Sequence, residues 1–226
     1  MDDRQTVQSS HDDPHRMTPT LRAGPPLAEA SGALVLLHGR GASPEDVLEL
    51  GLQLDLPAFS LMAPAAAEGA WYPHWYASPI ERHQPWLDSA LRRVDGLLGE
   101  CLQAGLSAEH VGLLGFSQGT CVALEYVTRH PGRCAAVVGL SGAMVGSSDS
   151  VRSPTVSLTG TRIFLGCGTS DPYFPTDRVL DAVEFLTACG AQVRLSLYAG
   201  LAHTVNEDEI RMAHDLFSGL ARPMTT

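Results

Sequence analysis

Short apolar runs alternate along this chain with longer stretches in which apolar residues recur every three or four positions. The strand-like runs cover residues 32–38, 58–63, 110–116, 134–140, 162–167 and 192–198. The helical stretches begin at Ser43 and then cover residues 85–105, 118–130, 176–188 and 207–220. Strands joined through helices run parallel, and a parallel sheet is covered by helices on both faces. The sequence therefore predicts a single α/β domain, since no repeat or linker divides it.

The size and charge of the chain limit its class. Its 226 residues, of which 44% are hydrophobic and 18% charged, suit one globular domain with a sizeable core. There are 25 acidic and 15 basic residues, which gives a formal net charge of −10. Nucleic acids are bound by clustered Lys and Arg, so a nucleic-acid partner is not expected.

The first 20 residues are polar and acidic and contain no apolar stretch. They match neither a signal peptide nor a transmembrane segment, so stable membrane insertion is not expected. We expect residues 1–20 to form a disordered tail and residues 21–226 to form the folded domain. Met17 is a candidate alternative start of translation, which the sequence alone does not decide.

The cysteines are odd in number and include no CxxC pair. They occupy positions 101, 121, 134, 167 and 189. This pattern predicts free, buried thiols in a reducing compartment, and hence a cytoplasmic protein. The close Cys and His spacings of a zinc site are absent, so no metal is expected.

The motif G-x-S-x-G occurs where the strand at 110–116 meets the helix at 118–130. It reads GFSQG over residues 115–119. A serine on so tight a turn projects above the edge of the sheet, and the residues two positions before and after it must be nearly free of side chain. The N-terminus of the helix points free N–H groups at the same place. Ser117 is therefore predicted to be a nucleophile.

A serine hydroxyl needs a base to take its proton and a carboxylate to orient that base. With this motif, the acid and then the histidine follow the serine in chain order. Asp171 lies just beyond the end of a strand, whereas Asp177 and Asp181 fall within the next helix. Of the histidines that follow it, His203 lies in a strand-end loop and His214 lies on the last helix. Asp171 and His203 are therefore the expected partners of the serine.

The turn HGRG at 38–41 follows the first long strand and is the usual second source of N–H groups in this arrangement. We expect the backbone N–H groups of Arg40 and Gln118 to form an oxyanion hole. The hypothesis that follows is acyl transfer. His203 takes the proton of Ser117 as the hydroxyl attacks an acyl carbonyl, and a water later releases the acid.

The segment at 64–84 has no clear periodicity but holds two of the three tryptophans and two of the five tyrosines. Loops of this length often line binding sites, although this one can equally be a flap packed on the core, and both can hold. Trp71, Tyr72 and Trp75 are predicted to form a hydrophobic wall of the substrate pocket. Such a wall suits aromatic or compact acyl groups.

Five pieces of the chain resemble the phospholipase/carboxylesterase family of small α/β-hydrolases, which includes acyl-protein thioesterases. They are LVLLHGRGAS, GFSQG, LSGAM, GTSDPYFP and LAHTVNEDEI, in order across residues 33–210. The resemblance implies an α/β-hydrolase fold with a Ser117/Asp171/His203 triad and an oxyanion hole from Arg40 and Gln118. It also implies a small-molecule ester substrate, no cofactor and frequent homodimers.

The chain departs in three places from the thioesterase members that it resembles. Arg40 stands where those proteins usually have an uncharged residue, WYP at 71–73 replaces WFD, and Thr120 replaces a smaller residue. These departures favour a carboxylesterase of short or medium acyl chains. An acyl thioesterase or lysophospholipase is the near alternative, and a non-catalytic ligand-binding protein is the distant one. The Arg40 side chain either meets an anionic substrate or is a solvated turn residue that contributes its backbone alone.

Overall fold

A computed structural model describes residues 13–147 and 154–222 of the chain. Within these residues a seven-stranded sheet is covered by five α-helices. The strands are β1 (Thr20–Ala23), β2 (Gly32–Leu37), β3 (Phe59–Pro64), β4 (Val111–Phe116), β5 (Ala136–Leu140), β6 (Arg162–Gly168) and β7 (Gln192–Tyr198). The helices are α1 (Pro44–Leu52), α2 (Trp86–Gln103), α3 (Gln118–Arg129), α4 (Thr176–Ala188) and α5 (Glu207–Ser218).

The strands are ordered β1-β3-β2-β4-β5-β6-β7, and every neighbouring pair is parallel except β1 and β3. The register places Leu37 of β2 opposite Gly115 of β4, and Phe116 of β4 opposite Leu140 of β5. The carboxyl ends of the central strands therefore meet at one edge of the sheet, where ligands bind in open α/β sheets. The predicted α/β architecture is confirmed.

Two apolar cores, one on each face of the sheet, bury the central strands. One core packs α2, α3 and α4 against the sheet, and the other packs α1 and α5. Nearly every residue of β2, β3, β4 and β5 is buried, as expected for parallel strands that are covered on both sides. In the described part of the chain, no helix is both long and apolar enough to cross a membrane.

The element bounds differ from the sequence expectation by a few residues at some ends. β5 begins at 136 rather than 134, and α5 ends at 218 rather than 220. Of the loop expected at 146–160, residues 148–153 lie outside the described residues, as do residues 1–12 of the expected tail.

The N-terminal segment is ordered from residue 13, which corrects the expected boundary of the tail. Residues 13–19, here called the strap, lie against the domain, and β1 then adds an antiparallel strand beside β3. Nη2 of Arg93 donates to the carbonyl oxygen of Thr18 and to the hydroxyl of Thr20, at 2.8 and 2.6 Å. This short polar segment is held by contacts with residues that are distant in the sequence. Local periodicity therefore does not predict it.

His15 is the buried centre of the strap. Its Nδ1 accepts the N–H of Ala67, and its Nε2 lies 3.0 Å from the carbonyl oxygen of Trp71. Burial lowers the pKa of His15 and favours the neutral ring. Because Nδ1 is an acceptor, Nε2 carries the proton and donates to Trp71. The strap therefore fixes the long segment at 64–84, which we call the flap.

Replacing His15 should destabilise the protein by releasing the flap. His15→Ala leaves the N–H of Ala67 and the carbonyl of Trp71 without these partners, for which we expect the free energy of unfolding to fall by about 2–4 kcal/mol. Urea unfolding at neutral pH measures the change. Met17→Ala, at a side chain that is 87% exposed, is the control and should stay within about 0.5 kcal/mol of the wild type. Equal effects from both variants would contradict this role of the strap.

Candidate active site

Ser117 lies on the turn that joins β4 to α3. Its backbone has φ 57° and ψ −119°, a conformation that residues with side chains rarely adopt. A Cβ at Gly119 would lie 1.9 Å from the carbonyl oxygen of Leu37, and one at Gly115 would lie 2.4 Å from the carbonyl carbon of Gly119. The two glycines of GFSQG are therefore a steric requirement of the turn.

His203 and Asp171 are joined by a hydrogen bond of 2.7 Å between Nδ1 and Oδ2. The other carboxylate oxygen of Asp171 accepts the N–H groups of Tyr173 and Phe174, at 2.8 and 3.1 Å. The side chain of Asp171 is fully buried, whereas that of His203 is 17% exposed. These contacts fix the carboxylate, which in turn orients the imidazole with Nε2 directed away from Asp171.

Ser117 and His203 line the same cavity, which has a volume of about 360 Å³. We call it the aromatic cavity, because its walls include Tyr72, Trp75, Tyr76, Phe116, Tyr173 and Phe174. A larger neighbouring cavity of about 520 Å³ shares Phe116 and His203 with it but is not lined by Ser117. Asp46, Glu49 and Glu207 line this second space, which we call the acidic groove. His203 therefore stands between the two.

The backbone N–H groups of Arg40 and Gln118 belong to two segments that border the aromatic cavity. Gln118 is the first residue of α3, so that its N–H has no acceptor within the helix. Among the residues that the structure describes, neither N–H has a backbone or side-chain acceptor. The HGRG turn is held by His38, whose Nε2 accepts the N–H of Ala66 at 3.0 Å. Two residues whose N–H groups have no such acceptor therefore line the same cavity as Ser117.

The side chains of Arg40 and Gln118 both reach the flap. Nη2 of Arg40 donates to the carbonyl oxygens of Tyr72 and His74, at 2.6 and 3.2 Å. The Gln118 amide accepts the N–H of Trp71 and donates to the carbonyl oxygen of Tyr72, both at 2.8 Å. The sequence left open whether the Arg40 side chain binds an anion or is only solvated. In the structure its guanidinium donates hydrogen bonds to the flap backbone.

Trp71 does not line the cavity, which corrects one of the three predicted pocket residues. Tyr72 and Trp75 do line it. Trp71 is fully buried, and its indole Nε1 donates to the carbonyl oxygen of His38 at 2.9 Å. A tryptophan whose indole N–H donates to a buried acceptor is part of the core. The flap is therefore both a packed segment and a cavity wall.

Four aromatic side chains of the cavity were not predicted from the sequence: Tyr76, Phe116, Tyr173 and Phe174. The rings of Tyr76 and Phe174 stack with their centroids 4.4 Å apart, and Tyr173 packs edge-on against His203 at 4.9 Å. Tyr173 and Phe174 follow Asp171 by two and three positions. Their position in the same strand-end loop as Asp171 was the signal from which their place in the cavity wall could have been predicted.

The lower-ranked candidates lie outside the aromatic cavity. His214 is on α5, while Asp177 and Asp181 are on α4. Cys167 is buried close to Asp171, and burial raises the pKa of its thiol to about 12. All five cysteines are free and buried, as predicted. Within residues 13–147 and 154–222, no group of three His, Cys, Asp or Glu side chains could hold a metal ion.

A mostly parallel sheet with a serine on a strand-to-helix turn and a His–Asp pair in two later loops defines the α/β-hydrolase class. Residues 25–218 match the model of the phospholipase/carboxylesterase family. The chain belongs to that family and is a hydrolase, which confirms the resemblance seen in the sequence.

Relatives and solved structures agree with this assignment. The chain is 26% identical to esterase YpfH of Escherichia coli (strain K12) over 203 residues, which are 84% of this chain and 83% of the relative. It is 24% identical to acyl-protein thioesterase 1 of Saccharomyces cerevisiae, over 91% of this chain and 99% of the relative. A crystal structure of a phospholipase/carboxylesterase from Dyadobacter fermentans superposes with a TM-score of 0.83 at 32% identity, covering 89% of this chain and 96% of that one.

The loop that carries His203 ends in a capping box at the start of α5. Asn206 accepts the N–H of Glu209 at 3.0 Å, and Glu209 accepts the N–H of Asn206 at 2.9 Å. Glu209 is fully buried, and its second oxygen has no partner among the described residues. Burial raises the pKa of Glu209 to about 7, because the charged form would leave an oxygen unpaired in the interior.

The stability of the protein should fall as Glu209 ionises. The pKa is about 7 in the folded protein and 4.5 for a free glutamate, so that the unfolded chain loses this proton first. Stability is therefore lost between about pH 4.5 and 7, and the loss is complete above that range. Relative to the wild type, Glu209→Gln should gain about 1–3 kcal/mol in the free energy of unfolding between about pH 5 and 8.

Urea unfolding at about pH 5 and about pH 8 measures this gain. Glu207→Gln, which removes an exposed carboxylate from the same helical turn, is the control and should show a much smaller change. A difference between Glu209→Gln and the wild type that is the same at both pH values would contradict the ionisation of a buried carboxyl.

Proposed function

We propose that this protein is a serine carboxylesterase that hydrolyses short-to-medium acyl or aromatic esters through an acyl-enzyme. The observation that carries the proposal is the 2.7 Å hydrogen bond between Asp171 and His203, beside the cavity that Ser117 lines. A hydroxyl, an imidazole and a buried carboxylate at one cavity are the parts that acyl transfer requires. Relatives that carry the name esterase support the same class of reaction.

In the proposed reaction, His203 acts first as a general base and then as a general acid. Because Asp171 accepts its Nδ1–H, Nε2 of the neutral ring is the acceptor for the proton of Ser117. Oγ of Ser117 bonds to the acyl carbon, and Nε2–H then protonates the departing alkoxide, so that the alcohol leaves. A water molecule attacks the acyl-enzyme with the same proton transfers, and the acid is released.

The N–H groups of Arg40 and Gln118 are the proposed oxyanion hole. Both lack acceptors among the described residues, and the N-terminus of α3 adds partial positive charge at the same point. Donors placed in advance stabilise the tetrahedral intermediate because they need no reorganisation when its charge forms. One such donor typically contributes about 3 kcal/mol.

The aromatic cavity is the proposed acyl site. Its volume of about 360 Å³ lies near the lower end of the roughly 300–1,000 Å³ of ligand pockets. The stacked rings of Tyr76 and Phe174 form one of its walls. A short chain or an aromatic ring is suited to such a space, whereas a long unbranched chain would project into solvent.

The acidic groove is the proposed leaving-group side. Asp46, Glu49 and Glu207 line it, and no Lys or Arg of the described residues does. Negative charge there disfavours anionic carriers such as coenzyme A, which supports ester over coenzyme A thioester substrates. An acyl-protein thioesterase is the second candidate, because the yeast relative carries that name and the triad chemistry is the same.

Removing the serine hydroxyl should abolish turnover. We expect Ser117→Ala to lower kcat on p-nitrophenyl butyrate by about 10⁴-fold or more, since no other nucleophile is in place. A fluorophosphonate probe should label the wild type and not the variant. The proposal fails if Ser117→Ala keeps full turnover.

The two histidines that follow Asp171 in the chain provide a matched comparison. His203→Ala should lose activity to the same degree as Ser117→Ala, because the base is gone. His214→Ala removes an imidazole that bonds to the carbonyl oxygen of Leu54 and lines neither cavity, and it should keep kcat within about 2-fold. Equal losses in both variants would argue against a specific base at 203.

The aromatic wall should determine which length of acyl chain the enzyme prefers. Across p-nitrophenyl acetate, butyrate, octanoate and palmitate, we expect kcat/KM to peak at or before octanoate. Trp75, which is 53% exposed at the rim, can be truncated with little effect on the core. Trp75→Ala should therefore raise the relative rate on octanoate by about 3- to 10-fold. A wild-type preference for palmitate would overturn the assignment of chain length.

A further inference from the structure

The carbonyl oxygen of Tyr72 accepts hydrogen bonds from the side chains of both residues of the proposed oxyanion hole. Nη2 of Arg40 lies 2.6 Å from it, and Nε2 of Gln118 lies 2.8 Å from it. Arg40 belongs to the turn after β2, whereas Gln118 begins α3. One acceptor on the flap thus connects two segments that are distant in the sequence.

We propose that the side chains of Arg40 and Gln118 are positioning residues, which orient their own backbone N–H groups by sharing the carbonyl of Tyr72. The inference rests on the proposed function, because it concerns the same oxyanion hole. Each residue lines the aromatic cavity, and its side chain is anchored to the flap. Such an anchor restricts rotation of the peptide group, and a fixed donor direction is what oxyanion stabilisation depends on.

Further contacts make this anchor rigid. The planar amide of Gln118 accepts the N–H of Trp71 while it donates to the carbonyl of Tyr72, so that it bonds to two adjacent residues at once. Gln118 is only 5% exposed. Arg40 makes a second bond of 3.2 Å to the carbonyl oxygen of His74. The N–H of Gly41 donates to the carbonyl oxygen of Gly69 at 2.8 Å, which ties the same turn to the flap.

The shared carbonyl also belongs to the wall of the acyl site. Tyr72, Trp75 and Tyr76 line the aromatic cavity from the flap. An acyl group that packs against this wall therefore acts on the segment that holds both donors. Binding energy used in this way appears in kcat rather than in KM.

Recognition of an anionic substrate group is the competing role for Arg40. In the described residues no carboxylate forms an ion pair with this guanidinium, and Nη2 is bonded to the flap. The two roles predict different kinetics. Anion recognition would change KM for acidic esters alone, whereas positioning lowers kcat for every ester.

The test compares Arg40→Met, Arg40→Lys and Gln118→Ala with the wild type. The substrates are p-nitrophenyl hexanoate, which is neutral, and mono-p-nitrophenyl adipate, which is acidic. Arg40→Met should lower kcat about 10- to 100-fold on both esters with KM changed less than about 3-fold, a smaller effect than the loss of a donor itself. Arg40→Lys can reach one carbonyl and should recover part of the rate. The double variant Arg40→Met/Gln118→Ala should lose less than the product of the single losses, because both side chains act on one acceptor.

A boronic acid inhibitor separates positioning from a general loss of structure. Its tetrahedral adduct on Ser117 places an oxygen in the oxyanion hole, so that the inhibition constant should rise in parallel with the fall in kcat/KM across the variants. Damaged structure would instead lower Tm and the fraction of protein labelled by a fluorophosphonate, with kcat per labelled site unchanged. Arg22→Met, which removes an exposed ion pair with Glu100, is the control and should leave all these quantities unchanged.

The inference is overturned if Arg40→Met and Gln118→Ala keep the wild-type kcat and inhibition constant. It is also overturned if the loss is confined to KM for the adipate ester, or if kcat per labelled site is unchanged. The proposed function fails in a different way, which is that the wild type neither hydrolyses the hexanoate ester nor reacts with the fluorophosphonate at Ser117.

Discussion

The contact between the start of α3 and the end of β2 determines the geometry of the whole site. Gly119 lies so close to the backbone of Leu37 that any side chain would overlap its carbonyl oxygen. Because β2 and β4 are neighbours in the sheet, this contact brings the HGRG turn beside the turn that carries Ser117. Arg40, Ser117 and Gln118 then line one cavity.

The flap depends on the same contact, because it has little regular structure of its own. Buried N–H and C=O groups need partners, and in an irregular segment side chains must supply many of them. His38 accepts the N–H of Ala66, and Gln118 satisfies both the N–H of Trp71 and the carbonyl of Tyr72. The motif residues therefore stabilise the cavity wall as well as serving the proposed chemistry.

Local sequence predicted the elements whose pattern is set by burial against the sheet. β4, α3 and α4 begin and end within a residue of their expected bounds, because apolar periodicity records which face is covered. The strap and the burial of Trp71 were not predictable in this way. His15 reaches Ala67 and Trp71 across separations of 52 and 56 residues, and no local pattern encodes such a partner. The hydrogen bond between Asp171 and His203 was predictable only because parallel strands bring their loops to one edge.

Two of the departures from the thioesterase members, Arg40 and WYP at 71–73, concern one network. An uncharged residue at position 40 has no guanidinium to hold the carbonyl of Tyr72, and the replacement of WFD by WYP falls on the segment that Arg40 binds. Thr120 is explained separately, since its hydroxyl lies 2.7 Å from the carbonyl oxygen of Gly115 and 2.8 Å from that of Leu140, where it joins the ends of β4 and β5. A change at position 40 and a change in the flap therefore alter the same contact. In the proposed reaction, that contact lies between the N–H groups of the oxyanion hole and the wall against which an acyl group would pack. The shape of the proposed acyl site and the alignment of these donors would then not vary independently in this chain.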